Sequence, residues 1–206
     1  TCALPIFAAF DQKTLCVTKN TPHQDNAETW FRLRSLNVQV QAFEDQDDMY
    51  KAFYDNKCQL VSQEATVLAS TIIASGKAQN YLMLPEIISR EPLGPYVRSG
   101  DDQWFDIVKW THFAMLTAEE LGVTKSNVDD QMKSDNPDVK RLLGTEGKHG
   151  EALGLTNDWA YRIVKHVGNY GESFERNLGQ GSPLKFARGL NALWTRGGTM
   201  MSPPFN

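Results

Sequence analysis

Through its first ninety residues the chain alternates short apolar, β-branched runs with longer helix-forming ones, and few architectures accept that order. Thr14-Leu15-Cys16-Val17-Thr18 and residues 59–62 read as buried strands, and 37–43 alternates polar and apolar as a half-buried strand does. Residues 81–84 read as a fourth strand. Helices are expected over about 22–35, 45–54 and 64–74. Thr21 is a candidate N-cap, and Pro22 takes the first helical position. Strands joined by helical crossovers imply an α/β lobe, a parallel sheet with helices on both faces.

After Gly100 the period changes. Trp104, Ile107, Val108, Trp110, Phe113, Ala114 and Leu121 recur at helical spacing, and Gly122 ends that helix. Residues 123–157 are polar and loop-rich, with short helical turns expected near 128–132 and 139–143. A helix over 158–177 carries Gly168 and Gly171, which invite a bend. Ser182-Pro183 reads as the start of a last helix, which Gly197-Gly198 ends, and the tail 202–206 as extended.

The 206 residues carry a net charge of −4, with no basic stripe to meet nucleic acid. No apolar run approaches the ~20 residues that span a bilayer. A chain starting at Thr1 is what a processed, exported protein presents, and also what a trimmed one presents. Of the three cysteines, Cys16 and Cys58 each sit on a strand segment. Adjacent strands would bring their sulfurs into bonding range, which points to a disulfide and an oxidising compartment, periplasmic or secreted. Two buried free thiols are the other reading, and Cys2 is left over.

Catalytic and metal chemistry is not visible. There is no GxSxG, P-loop or HExxH, and Asp45, Asp47 and Asp48 lack the later glutamate and central glycine of a calcium loop. Neither an enzyme nor a metal or other cofactor is expected.

The string from Leu84 through Glu86-Ile87-Ile88-Ser89-Arg90-Glu91-Pro92-Leu93-Gly94-Pro95-Tyr96-Val97-Arg98 to Trp104-Phe105 resembles the hinge return of the periplasmic general L-amino-acid-binding proteins of ABC transporters. Ser134-Asp135-Asn136-Pro137, Lys140-Arg141-Leu142-Leu143-Gly144-Thr145-Glu146-Gly147, Asn157-Asp158-Trp159-Ala160-Tyr161-Arg162 and Arg188-Gly189-Leu190-Asn191-Ala192-Leu193-Trp194 extend the likeness. From Lys13 to Leu68 the match is weaker but in register, and Cys58 falls where the family places its second cysteine. The resemblance implies two lobes that clamp an amino acid and dock on a permease. It makes residues 1–9 an N-terminal extension, 10–90 the α/β second lobe, and 91–206 the hinge return with the mainly helical part of lobe one. The opening segment of lobe one, with its carboxylate-binding arginine, has no counterpart in the sequence.

Carried over residue by residue, the family's ligand turn after its first strand falls on Asn20-Thr21-Pro22-His23 and its ammonium-binding aspartate on Glu64, which makes Thr18, Lys19, Asn20, Thr21 and Glu64 the candidate ligand-binding residues. Pro22 removes a donor, Asn20 replaces a glycine and His23 adds bulk, so the residues favour an eroded site. Thr21 as a plain N-cap, Glu64 as a first-turn acid, and Lys19 and His23 as surface residues are the plainer readings. The family label implies the amino-acid-binding component of an ABC uptake system, with an L-amino acid, a permease or a separate lobe-one chain as partner. The alternative is a structural or interaction protein that self-associates through Trp104, Trp110, Phe113, Trp159 and Trp194, helix residues a missing lobe would leave uncovered.

Overall fold

The structure is a computed structural model that describes residues 7–84 and 86–205; Cys2 lies outside them. The chain forms two compact units, Thr1–Pro92 and Leu93–Asn206.

The first unit is built on β1 (Thr14–Thr18), which lies between β2 (Gln39–Phe43) and β3 (Leu60–Val61) in an all-parallel sheet of order β2-β1-β3. Leu15, Cys16 and Val17 are buried, as a central strand covered on both faces requires. Side chains alternate across the strand. Leu15 and Val17 pack with Ala27 and Phe31 of α1 (Pro22–Leu33), while Cys16 packs with Met49, Tyr50 and Ala52 of α2 (Gln46–Tyr54). Leu68 of α3 (Ala65–Ala74) joins the α2 side. The crossovers β1-α1-β2 and β2-α2-β3 run in opposite directions across the sheet and put their helices on opposite faces, as crossovers of one hand must. A disulfide joins Cys16 to Cys58, 42 residues apart, with Cα atoms 5.7 Å apart.

The expected fourth strand over 81–84 does not form. Tyr81 turns instead into a ring cluster with Phe53 and Tyr54, at 5.2 and 5.5 Å, and draws the chain off the edge of β3.

The second unit is helical. α4 (Asp102–Glu120) is capped by Asp101, which accepts from the Trp104 amide, and closes at Gly122, whose φ of +70° glycine tolerates. Short helices α5 (Val128–Gln131), α6 (Pro137–Leu143) and α7 (His149–Ala152) follow. The helix expected over 158–177 is two, α8 (Trp159–Val167) and α9 (Tyr170–Asn177). Gly168 leaves helical geometry at φ 92°, ψ 179°, and Asn169 restarts the chain with a capping box to Glu172. Ala114, Ala118, Val139, Leu142, Trp159, Val164 and Phe205 share one core.

The last helix expected after Ser182-Pro183 is also absent; the segment makes two 3₁₀ turns, Gly189–Asn191 and Trp194–Arg196. Ser182 spends its hydroxyl locally, accepting from the Leu184 amide, and Lys185 sits at φ +55°. Arg188 is then committed inward as a two-pronged partner of Glu119, at 3.0 and 3.1 Å. The expected aromatic face is divided. Trp159, 5% exposed, belongs to the core, and Trp110 and Phe113 are half-buried. Trp104 and Trp194 stay 51% and 56% exposed.

Candidate ligand-binding site

The order β2-β1-β3 makes the carboxyl ends of β1 and β3 a topological switch point, because the chain departs from β1 toward β2 and returns on its other side. In open parallel sheets, loops diverge at such a point and ligands bind beside it. Thr18 ends β1, Lys19, Asn20 and Thr21 follow it, and Glu64 follows β3. The strand order thus brings all five candidate residues to one edge.

Their roles differ. The amide of Lys19 donates to Phe43 O at 2.8 Å, which prolongs the β1–β2 ladder. Asn20 turns the chain at φ +56°, a conformation asparagine tolerates better than most residues. Thr21 is the N-cap residue of α1, yet its hydroxyl donates backward to Thr18 O at 2.6 Å and caps nothing. The Thr18 hydroxyl is turned to Met49 Sδ at 3.7 Å. Pro22 contributes no N–H. Among the described residues no side chain caps the first turn of α1, so the positive end of that helix is left open at the edge.

The other two helices at this edge are closed by acids. Asp45 accepts from the Asp48 amide at 2.8 Å and caps α2. Glu64 caps α3: its Oε2 accepts from the Val67 amide at 2.9 Å and from the Thr66 hydroxyl at 2.5 Å. Burial works against the charge of Glu64. The bonds from Thr66 and Val67 and the field of His23 outweigh it and hold the carboxyl below the usual glutamate range. Glu64 is therefore a half-buried, fixed anion, and its Oε1 makes no hydrogen bond among the described residues.

Three further groups complete the edge. Glu44, the first residue after β2, accepts from Lys19 Nζ at 2.5 Å, and Gln63 Nε2 donates to Gln46 Oε1 at 3.3 Å. Reading the sequence singles out neither Glu44 nor Gln63. Their only signal is position, directly behind a strand end, and it has meaning once the strand order is known. No group of three or more metal-ligating side chains occurs among the described residues. A wide groove of about 500 Å³ lies at the other end of the sheet, between Glu28, Phe31, Arg32 and Val38, and contains none of the candidate residues.

No family model matches the chain. It is 49% identical over 192 residues to the general L-amino acid-binding periplasmic protein AapJ of Rhizobium johnstonii, covering 92% of this chain and 56% of that protein. It is 42% identical over 196 residues to the glutamate/glutamine/aspartate/asparagine-binding protein BztA of Rhodobacter capsulatus, covering 95% and 58%. Among solved structures, an ABC transporter periplasmic binding protein from Brucella ovis with glutathione bound matches with a TM-score of 0.88 and 43% identity. That match covers 97% of this chain and 63% of the other. The chain spans a little over half the length of the curated relatives it matches.

Proposed function

We propose, this chain being a relative of the periplasmic amino-acid-binding proteins of ABC transporters, that it supplies one side of a site in which an amino acid is held for uptake. One observation carries the reading. At the carboxyl edge of the sheet one helix N-terminus is uncapped while its neighbour is capped by a fixed carboxylate with an oxygen to spare. An open helix N-terminus suits a carboxylate, and a fixed carboxylate suits an ammonium group. An α-amino acid carries both on one carbon. Pro22 and the inward-turned hydroxyls of Thr18 and Thr21 leave fewer donors for the carboxylate, so Glu64 carries the larger share of recognition in this reading.

The periplasm is the compartment this reading implies. The buried Cys16–Cys58 disulfide supports it, since such bonds persist where the surroundings oxidise. The partner implied is an ABC permease. No helix among the described residues is long and apolar enough to cross a membrane. Calorimetric titration with a panel of amino acids tests the reading. Binding should occur and should weaken about 10- to 100-fold in Glu64→Gln, which removes a charged partner of the ammonium. Silence across the whole panel overturns it.

A second reading, an interaction protein without amino-acid affinity, draws support from Trp104, Phe105 and Trp194, which stand 50–56% exposed on the second unit. It requires concentration-dependent association in light scattering that Trp104→Ser or Trp194→Ser weakens; a monomer at all concentrations excludes it.

A further inference from the structure

Lys19 and Glu44 join the loop after β1 to the loop after β2, on the opposite side of the β1 turn from Glu64. A ligand held between Glu64 and the start of α1 lies on the β3 side of this pair, and a substituent extending toward β2 would meet it. Lys19 is the lysine of the edge, and its ammonium group is answered by a carboxylate one strand away. We infer that Glu44 is a built-in stand-in for a ligand carboxylate, and that the site selects ligands with a second acidic group, which displace Glu44 from Lys19. The inference rests on the reading given above and names the class of ligand that reading leaves open.

The energetics suit an exchange. Both side chains are open to solvent, 47% for Lys19 and 79% for Glu44, and such ion pairs are worth only about 0–1 kcal/mol. Breaking the pair costs little. A ligand carboxylate held at both ends by the site loses less freedom in the new contact than the long glutamate arm does in the old one. Glu44 would then relax into water. Neutral ligands leave the pair intact and gain nothing from Lys19. The backbone of Lys19 does not move in the exchange, because its amide is tied to Phe43 O at 2.8 Å.

The test is titration of the whole chain with aspartate, glutamate, asparagine, glutamine and alanine. Wild-type protein should prefer each acid to its amide by about 2- to 5-fold, the range of one screened charge pair. Lys19→Gln should erase that preference while leaving the three neutral affinities within about twofold, and Lys19→Arg should retain it. Glu44→Gln should tighten the acids about 3- to 5-fold at low salt, with the gain shrinking in 0.5 M salt as the charge is screened. Both positions are exposed, and matching melting curves will show that the variants fold. Acids that bind no better than amides, or that respond to neither substitution, overturn the inference while neutral binding keeps the broader reading standing. Absence of binding by all five overturns both.

Discussion

The two units close their cores by opposite means. The first hangs on a single five-residue strand, β1, with a disulfide across one face and polar loops gathered at one end. The second has no named strand among its described residues; it is held by interlocked aromatic and aliphatic side chains and by one buried ion pair, Glu119–Arg188. A parallel sheet leaves its helix N-termini and loop ends pointing one way, so unpaired polar groups accumulate at an edge where a ligand can use them. A helical cluster caps its ends one at a time and leaves less for a ligand. The two units are thus held by different means, and each can be tested by itself.

The largest effect is expected from the disulfide. It closes a loop of 42 residues, and cross-links of that span stabilise by about 4 kcal/mol in the chain-entropy account. Both sulfurs lie in a packed core, with Cys16 0% and Cys58 2% exposed. A Cys16→Ala, Cys58→Ala pair should lower amide protection across β1 and α2 by about that much and leave α4 and α8 unchanged. Equal loss in both units, measured by hydrogen exchange, would mean that the two are not separate in stability.

The second unit has its own weak point. Glu119 is 9% exposed, and Arg188 grips both of its oxygens while its guanidinium lies 5.2 Å from the ring of Tyr170 and 5.1 Å from that of Phe174. Removing one partner of a buried pair leaves an uncompensated charge and costs about 3–5 kcal/mol. Arg188→Leu should therefore destabilise the second unit by about 3 kcal/mol, and adding Glu119→Gln should recover part of the loss. A single substitution without effect would mean that solvent reaches Glu119 and that the unit relies on its apolar core alone.

The same contrast decides what the sequence revealed. The sheet was legible because burial on both faces leaves an unbroken apolar run at β1, and an edge position leaves the alternation of β2. Residues 81–84 have the composition of a strand, but a ring cluster formed with residues nearly thirty positions earlier took Tyr81 away, and local pattern carries no trace of that. The last segment fails as a helix for a similar reason: Arg188 answers a glutamate 69 residues back. The positions of Thr21 and Glu64 were legible as helix starts, and the α/β class was legible in the alternation of strands and helices. The contact between Lys19 and Glu44 was not legible, because it exists only when β2 lies beside β1. The division of labour among three helix N-termini depends on rotamers, and rotamers leave no mark on spacing.

The smallest effect separates a charged cap from a neutral one. Glu64 caps α3 as an anion, and its carboxyl in the folded chain lies below the range of a free glutamate. A group with a depressed folded pKa contributes stability that is fully present above its unfolded value, near ~4.3, and is lost as pH falls through the folded value. Replacing such a cap costs about 1 kcal/mol. Glu64→Ala should therefore destabilise α3 by that amount at pH 7, and the gap between variant and wild type should narrow as pH falls below about 4. The cap of α6 in the second unit supplies the control. Asn136 accepts from the Asp138 amide at 2.9 Å and carries no titrating proton, so Asn136→Ala should cost about the same at both pH values. If the Glu64 gap fails to narrow, the cap works without its charge. The anion expected to receive a ligand's ammonium group would then have lost its main support, while the neutral cap would still account for the helix.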